Sequence, residues 1–425
     1  MRHSTQAFST TACLLRPCAM AAAFVCSSAA LAQSTTSTQS GPAFSFGGYG
    51  TLSATHSNHD FADFTSTILK PDGVGYTRAT SLSNDSRLAA QLGVAIDNQW
   101  SAVLQVTTER RYDYSYATQV EWLNLKYQAT PDLSIRVGRI ALPIFVAADY
   151  RKVGYAYPWV RPPIEVYGGI PITNSDGADV SYRWQRGSMK HVTQVFYGGT
   201  DIELTDTTSV KARGLFGLTH SADIGALSVR ASLFTATINV NIARPLFDGF
   251  RQFGAAGIAI ANKYDVIDKR VDAFTIGFNY DPGQWFLMSE YGIMDGHSFL
   301  AKSNSAYLSA GYRFGSLTPY ATYSQAKALR PNSDPGLPQA GLPPPLAAAA
   351  GQLNAGLNHL LNAIATQDTL SAGLRWDFRP NFALKLQHDR ITPRAGSRGT
   401  LINPQPGFRS GRAVHVTSVA LDFVF

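Results

Sequence analysis

The chain has 425 residues, of which 45% are apolar and only 15% charged, and its formal net charge is +7. Soluble domains usually carry about 25% charged residues, yet beyond residue 32 no apolar run approaches the ~20 residues that a membrane-spanning helix needs. The three cysteines (Cys13, Cys18 and Cys26) all precede residue 33, which excludes a disulfide framework or thiolate metal site in the rest of the chain.

The first element is a secretory leader. Arg2 and Arg16 precede an apolar stretch from Ala19 to Val25, and Ala30-Leu31-Ala32 puts small residues where a signal peptidase reads. Residues 1–32 are therefore expected to be removed, 33–43 to form a short N-terminal segment, and 44–425 to form one domain. Losing Arg2 and Arg16 lowers the net charge from +7 to +5.

From Phe44 onward the chain divides into segments of alternating polarity, the signature of strands whose two faces meet different surroundings. Sixteen such segments start near residues 44, 86, 99, 118, 132, 177, 188, 209, 225, 270, 284, 304, 317, 367, 380 and 411. The second sets Leu88, Ala90, Leu92, Val94 and Ile96 against Arg87, Gln91 and Asp97. The fourteenth sets Leu370, Ala372, Leu374, Trp376 and Phe378 against Ser371, Gly373, Arg375 and Asp377. An arginine beside a tryptophan fits a strand only if successive residues see different solvents.

Short turns rich in Gly, Pro, Asn and Asp lie near 97–98, 131–132, 186–187, 222–223, 282–283, 314–315 and 380–381. They alternate with eight longer connections. The first, about 57–84, is polar. The fifth, about 238–269, is partly apolar. The seventh, about 329–366, opens on prolines and then places Leu353, Leu357, Leu360, Leu361 and Ile364 at helical spacing, which predicts a surface helix over the rim. One clipped rim and one elaborated rim are what an up-and-down barrel requires. The predicted fold is all-β: a 16-stranded antiparallel transmembrane β-barrel, both ends on the clipped side.

The last strand sets His415, Thr417, Val419, Leu421, Phe423 and Phe425 against Val414, Val416, Ser418, Ala420, Asp422 and Val424. A soluble edge strand ending this way would invite aggregation. With one face on lipid, the aromatics fall in an interfacial girdle. Phe423 and Phe425 are thus expected where strand 16 closes against strand 1.

The third long connection, about 141–175, stands apart. It carries five prolines, the aromatics Tyr150, Tyr155, Tyr157, Trp159 and Tyr167, and the charges Asp149, Arg151, Lys152, Arg161 and Glu165. So apolar a loop would be a liability in solvent, and its prolines reduce the entropy lost on fixing it. Both features suit a loop folded against an inner wall, with the aromatics pinning it there or, alternatively, stacking on a ring-bearing solute.

Taken with Arg136-Val137-Gly138-Arg139 leading into this loop and Asn174-Ser175-Asp176-Gly177 leaving it, the chain resembles the general porin family of Gram-negative bacteria. The resemblance covers the architecture of residues 33–425, and is specific as motif from about Arg136 to Tyr182 and from Ser418 to Phe425. It implies an outer-membrane, multi-pass barrel with periplasmic termini, a constriction loop after strand 5, a homotrimer, and a terminal strand read by the barrel-assembly machinery. It further implies that loop acids, here Asp149 and Glu165, face a basic wall, here Arg87, Arg111, Lys126 and Arg136. The loop departs from that pattern by also carrying Arg151, Lys152 and Arg161.

Further inward cations (Arg183, Lys211, Arg213, Arg230, Arg375 and Lys385) are partly offset by Glu109, Glu121, Asp179, Glu290, Asp377 and Asp389. Because rings of charge select ions by sign, the expected activity is passive diffusion of small hydrophilic solutes and ions, with weak anion preference or near-neutral selectivity. The alternatives are a channel specific for an aromatic acid, sugar or phosphate, and a structural or adhesion barrel. No GxSxG, Walker or GxGxxG motif and no metal-spaced histidine pair occurs, so neither enzymatic activity nor a cofactor is expected. The cations are spread over alternate positions rather than clustered, which opposes nucleic-acid binding. Lipid, solutes and a second and third copy are the expected partners.

Overall fold

The computed structural model describes residues 41–425 except 71, 206 and 207; the expected leader, residues 1–32, lies outside the described residues. Sixteen long strands form a closed antiparallel wall. In chain order they are β1 (Ala43–Ser57), β2 (Arg87–Ala95), β3 (Trp100–Glu109), β4 (Gln119–Gln128), β5 (Leu133–Ala141), β6 (Asn174–Arg186), β7 (Met189–Thr205) and β8 (Thr208–Ile224). There follow β9 (Leu227–Val240), β10 (Val266–Tyr280), β11 (Trp285–Asp295), β12 (Lys302–Tyr312), β13 (Leu317–Ala328), β14 (Gln367–Arg379), β15 (Phe382–Pro393) and β16 (Val414–Val424). Each pairs with the next, and β16 returns to β1 with Tyr49 opposite Val424 and Ser57 opposite Val416.

Closure follows from a two-faced strand pattern that leaves no edge unpaired. On β13 the exposed positions are Leu317, Pro319, Ala321, Tyr323, Gln325 and Lys327, while Thr318, Tyr320, Thr322, Ser324 and Ala326 are buried. The polarity is thus inverted relative to a soluble protein, with apolar side chains outside and hydroxyls inside. At the seam, the outward rings of Phe423 and Phe425 lie across Gly50 and Gly48 of β1, where any Cβ would strike them. The short turns close with left-handed residues such as Gly225 (φ 57°) and Asn381 (φ 67°).

Three elements differ from the pattern read along the chain. The fourth long connection is not a loop: β7 and β8 are 17 residues each and pair up to Thr205 opposite Thr208. Alternation continues past the point where polarity weakens, because the two strands satisfy each other's backbone groups. The fifth connection holds two helices, which the sequence pattern marked only as apolar. The predicted helix of the seventh starts earlier than its leucines suggest. In chain order the helices are α1 (Ile164–Tyr167), α2 (Arg244–Arg251), α3 (Gly254–Tyr264) and α4 (Pro344–Leu361). Proline fits the first turn of α4, where its missing N–H costs nothing. Phe247 and Phe250 of α2, Ala261 of α3 and Leu357 and Leu361 of α4 share one apolar cluster, so the fifth and seventh connections bury each other.

Candidate functional site

The segment 142–173 between β5 and β6 is folded inside the wall. Its stems are clipped together by Leu142 N–H donating to the Thr173 carbonyl at 3.0 Å. An irregular backbone buried this way must have its polar groups satisfied, and inward side chains of the barrel do so. Thr219 and Ser232 donate to the Pro143 carbonyl, Thr275 to Ile144, and Arg230 to Phe145. Glu290 accepts from Val146 N–H and from the hydroxyls of Tyr167 and Tyr307. Farther along, Arg375 donates to the carbonyls of Tyr155 and Tyr157, and Lys385 to those of Gly154 and Trp159.

The aromatics lie against the wall. Trp159 is 1% exposed and its indole N–H is shared by Ser309 (2.9 Å) and Thr322 (3.1 Å). Tyr157 lies under the Lys385 ammonium and Tyr155 under the Arg375 guanidinium, at 4.9 and 4.8 Å from the ring centres. Tyr150 packs against the apolar cluster that holds Tyr157, Trp159 and Tyr167. Buried as they are, Tyr155, Tyr157 and Trp159 have no free face for a solute.

The charges sort differently from the division that the resemblance implied. Glu165 does not face the basic wall: it is buried against β13 and β14 and accepts from Ser324, Gln367 and Thr369. Asp149 meets Arg230 of β9 at 3.4 Å. Loop cations meet wall acids instead. Lys152 lies 2.8 Å from both Glu109 and Glu121. Burial disfavours its ammonium, but the two carboxylates outweigh that and raise its pKa. Arg161, 4% exposed, sits between Asp85 (2.7 Å) and Asp389 (2.9 Å) and also reaches Ser418. The loop turns its cationic positions toward β2–β4 and β15, where the acids happen to stand. Lys385, read along the strand as a channel charge, is covered by the loop and paired with Asp422.

Of the four wall cations, two come together. Arg87 of β2 and Arg111, which lies just beyond β3 in the connection to β4, line a cavity of about 560 Å³ beside the loop. Arg151, Lys152 and Tyr167 line it from the loop side. Lys126 and Arg136 stand opposite each other on β4 and β5, nearer the clipped rim, and Arg136 pairs with Asp179 at 2.9 Å. Eight Lys and Arg side chains and five Asp and Glu line the cavity, leaving it net basic. Sequence reasoning marked Arg87 and Arg111 by parity. It did not reveal that Arg151 joins them, because that depends on the path of the loop.

No protein-family model matches this chain, and no curated protein matches it in sequence. Solved structures match at the level of fold. OmpF of Salmonella typhi, solved with daunomycin, aligns with a TM-score of 0.54 at 13% identity, covering 91% of this chain and 98% of its own. The outer membrane channel DcaP of Acinetobacter baumannii aligns at 0.52 and 9% identity, covering 92% and 100%. A loop L8 deletion mutant of OmpT, an outer membrane protein of Vibrio cholerae, aligns at 0.50 and 12%, covering 91% and 100%.

Proposed function

We propose that this chain, whose fold is that of the outer-membrane porins, is a water-filled outer-membrane channel for passive diffusion of small hydrophilic solutes and ions, with a weak anion preference. The observation that carries this reading is the cavity beside the inward-folded segment 142–173, which is lined by more cations than anions. Sixteen strands enclose enough space for an aqueous path past such a segment. The apolar outer faces of the strands suit lipid, and the basic excess favours anions by sign.

On this reading segment 142–173 is the constriction, both termini are periplasmic, and the protein assembles as a homotrimer through the barrel-assembly machinery; the last two features rest on similarity to porins. The test is conductance across a planar bilayer under a salt gradient. Ohmic steps with a reversal potential slightly toward anions are expected. Strong cation selectivity would overturn the anion preference, and absence of conductance would overturn the channel. Shortening the segment between Val146 and Glu165 should enlarge the single-channel step.

A further inference from the structure

We infer that the cavity beside the inward-folded segment is a saturable binding station for a small organic carboxylate, held by the guanidinium groups of Arg87, Arg111 and Arg151. The inference rests on the channel reading and names the solute class that the channel would favour.

Of the six guanidinium groups that line the cavity, those of Arg87, Arg111 and Arg151 have no carboxylate oxygen within 4.0 Å among the described residues. The other cations there are committed. Lys152 and Arg161 hold the acid pairs already described, Arg139 pairs with Asp176 at 2.8 Å, Arg110 meets Asp72 at 3.6 Å, and Lys70 donates to the carbonyls of Ser83 and Asn84. Lys152 also lies between Glu109 and Glu121 and offsets one of the two negative charges that would repel an entering anion.

Arg151 is positioned before any anion arrives. Its two terminal nitrogens donate to the carbonyls of Ile170 (2.8 Å) and Tyr167, and its guanidinium lies over the Tyr167 ring at 5.4 Å. Arg87 approaches the same stretch, donating to the Lys152 carbonyl at 3.5 Å. A guanidinium has five N–H donors, so both retain donors beyond those the backbone takes. Burial pushes the Arg151 pKa down to about 10, and the neighbouring Arg87 charge adds to that fall. Asp85 and Glu109 act on Arg87 and Glu121 on Arg151 only from beyond 4.0 Å, so neither guanidinium has a carboxylate in direct contact to offset the cost of burial. A carboxylate accepting charge-assisted bonds from both would relieve that cost with defined geometry.

The rest of the lining argues for an organic body. Ile164, Pro171, Ile172 and Tyr167 give one side of the cavity an apolar surface. Its volume of about 560 Å³ falls in the range of small-molecule sites, roughly 300–1,000 Å³, and far exceeds the needs of a bare ion.

The test uses the full-length protein in a planar bilayer at about 0.1 M KCl, where exposed charges are screened beyond about 10 Å. Benzoate is titrated against the chloride current, with neutral benzamide in parallel. The expected result is a saturable block by benzoate alone. Arg87→Gln and Arg151→Gln should each shift the half-blocking concentration by about tenfold, the loss typical of one charge-assisted hydrogen bond. Arg87→Gln lies on a strand, so it reports on binding even if Arg151→Gln loosens the loop. Lys327→Gln, on the outward face of β13, should block as the parent does. A benzoate effect that never saturates, an equal effect of benzamide, or an equal shift in Lys327→Gln would overturn the station and leave the channel standing. Absence of any current would overturn the channel reading beneath it as well.

Discussion

Lys385 of β15 and Asp422 of β16 form an ion pair at 2.7 Å in which neither side chain is exposed to solvent. Asp422 also accepts from Thr51 of β1 at 2.5 Å, and the Lys385 ammonium donates to the Gly154 and Trp159 carbonyls at 2.7 Å. One buried pair therefore ties the closing seam of the barrel to the segment folded inside it. Removing one partner of such a pair leaves an uncompensated charge, at a cost of about 3–5 kcal/mol. Asp422→Leu should lower the urea midpoint of unfolding in detergent by a corresponding amount. The double variant Lys385→Met with Asp422→Leu should lie nearer the parent, since no charge is left stranded. A double variant as unstable as the single one would refute this account.

Trp159 holds the middle of the segment to the far wall. Its ring meets Tyr307 edge-on at 5.5 Å, and its N–H is answered by Ser309 and Thr322. Truncating a buried tryptophan costs about 3–5 kcal/mol, here concentrated in one contact between loop and barrel. Trp159→Ala should therefore give larger and noisier single-channel currents without abolishing the fold. Traces indistinguishable from the parent would show that the ring does not hold the loop.

The Arg161 contact predicts an acid limit. Burial acts to raise the Asp85 pKa, but the Arg161 guanidinium at 2.7 Å outweighs it and holds the carboxyl at about 2, against an ordinary value of 3.8. A carboxyl depressed in the folded state stabilises it fully above the unfolded pKa and loses that contribution as pH falls through the folded one. The difference in unfolding midpoint between the parent and Asp85→Asn should thus be constant near neutrality. It should correspond to about 2 kcal/mol and shrink between about pH 4 and 2. A difference that persists unchanged to pH 2 would place the stabilisation elsewhere.

At the seam, the Phe423 ring occupies the space that a side chain at position 50 would need. Gly50→Val should reduce the yield of folded barrel, measured by heat-modifiable mobility on gels. Adding Phe423→Ala should recover part of it by clearing the space, although the outer face loses an aromatic. If the double variant folds no better than the single, the glycine is needed for another reason.

The strand count, the alternation of short and long connections except at the fourth long one, and the closure of the last strand on the first were legible along the chain. So was the unusual character of residues 141–175. The extended hairpin of β7 and β8 was not, because Asp201 and Glu203 look like loop residues until their partners across the hairpin are known. The helices of the fifth connection were hidden too. Their apolar residues form a face only when α4, about a hundred residues on, covers them.

By itself the sequence determined a two-faced strand repeated sixteen times, because backbone pleating is local and turns each successive side chain to the opposite face. Which charges meet was decided only in the tertiary structure. Arg161 finds Asp85 at 76 residues' separation and Ser418 at 257, and Lys385 ceases to face water only because the inward segment lies over it. Coulombic attraction and desolvation depend on distance and burial in space. The same set of inward charges could have lined a channel or been spent on holding a loop, and the path of residues 142–173 divides them between the two.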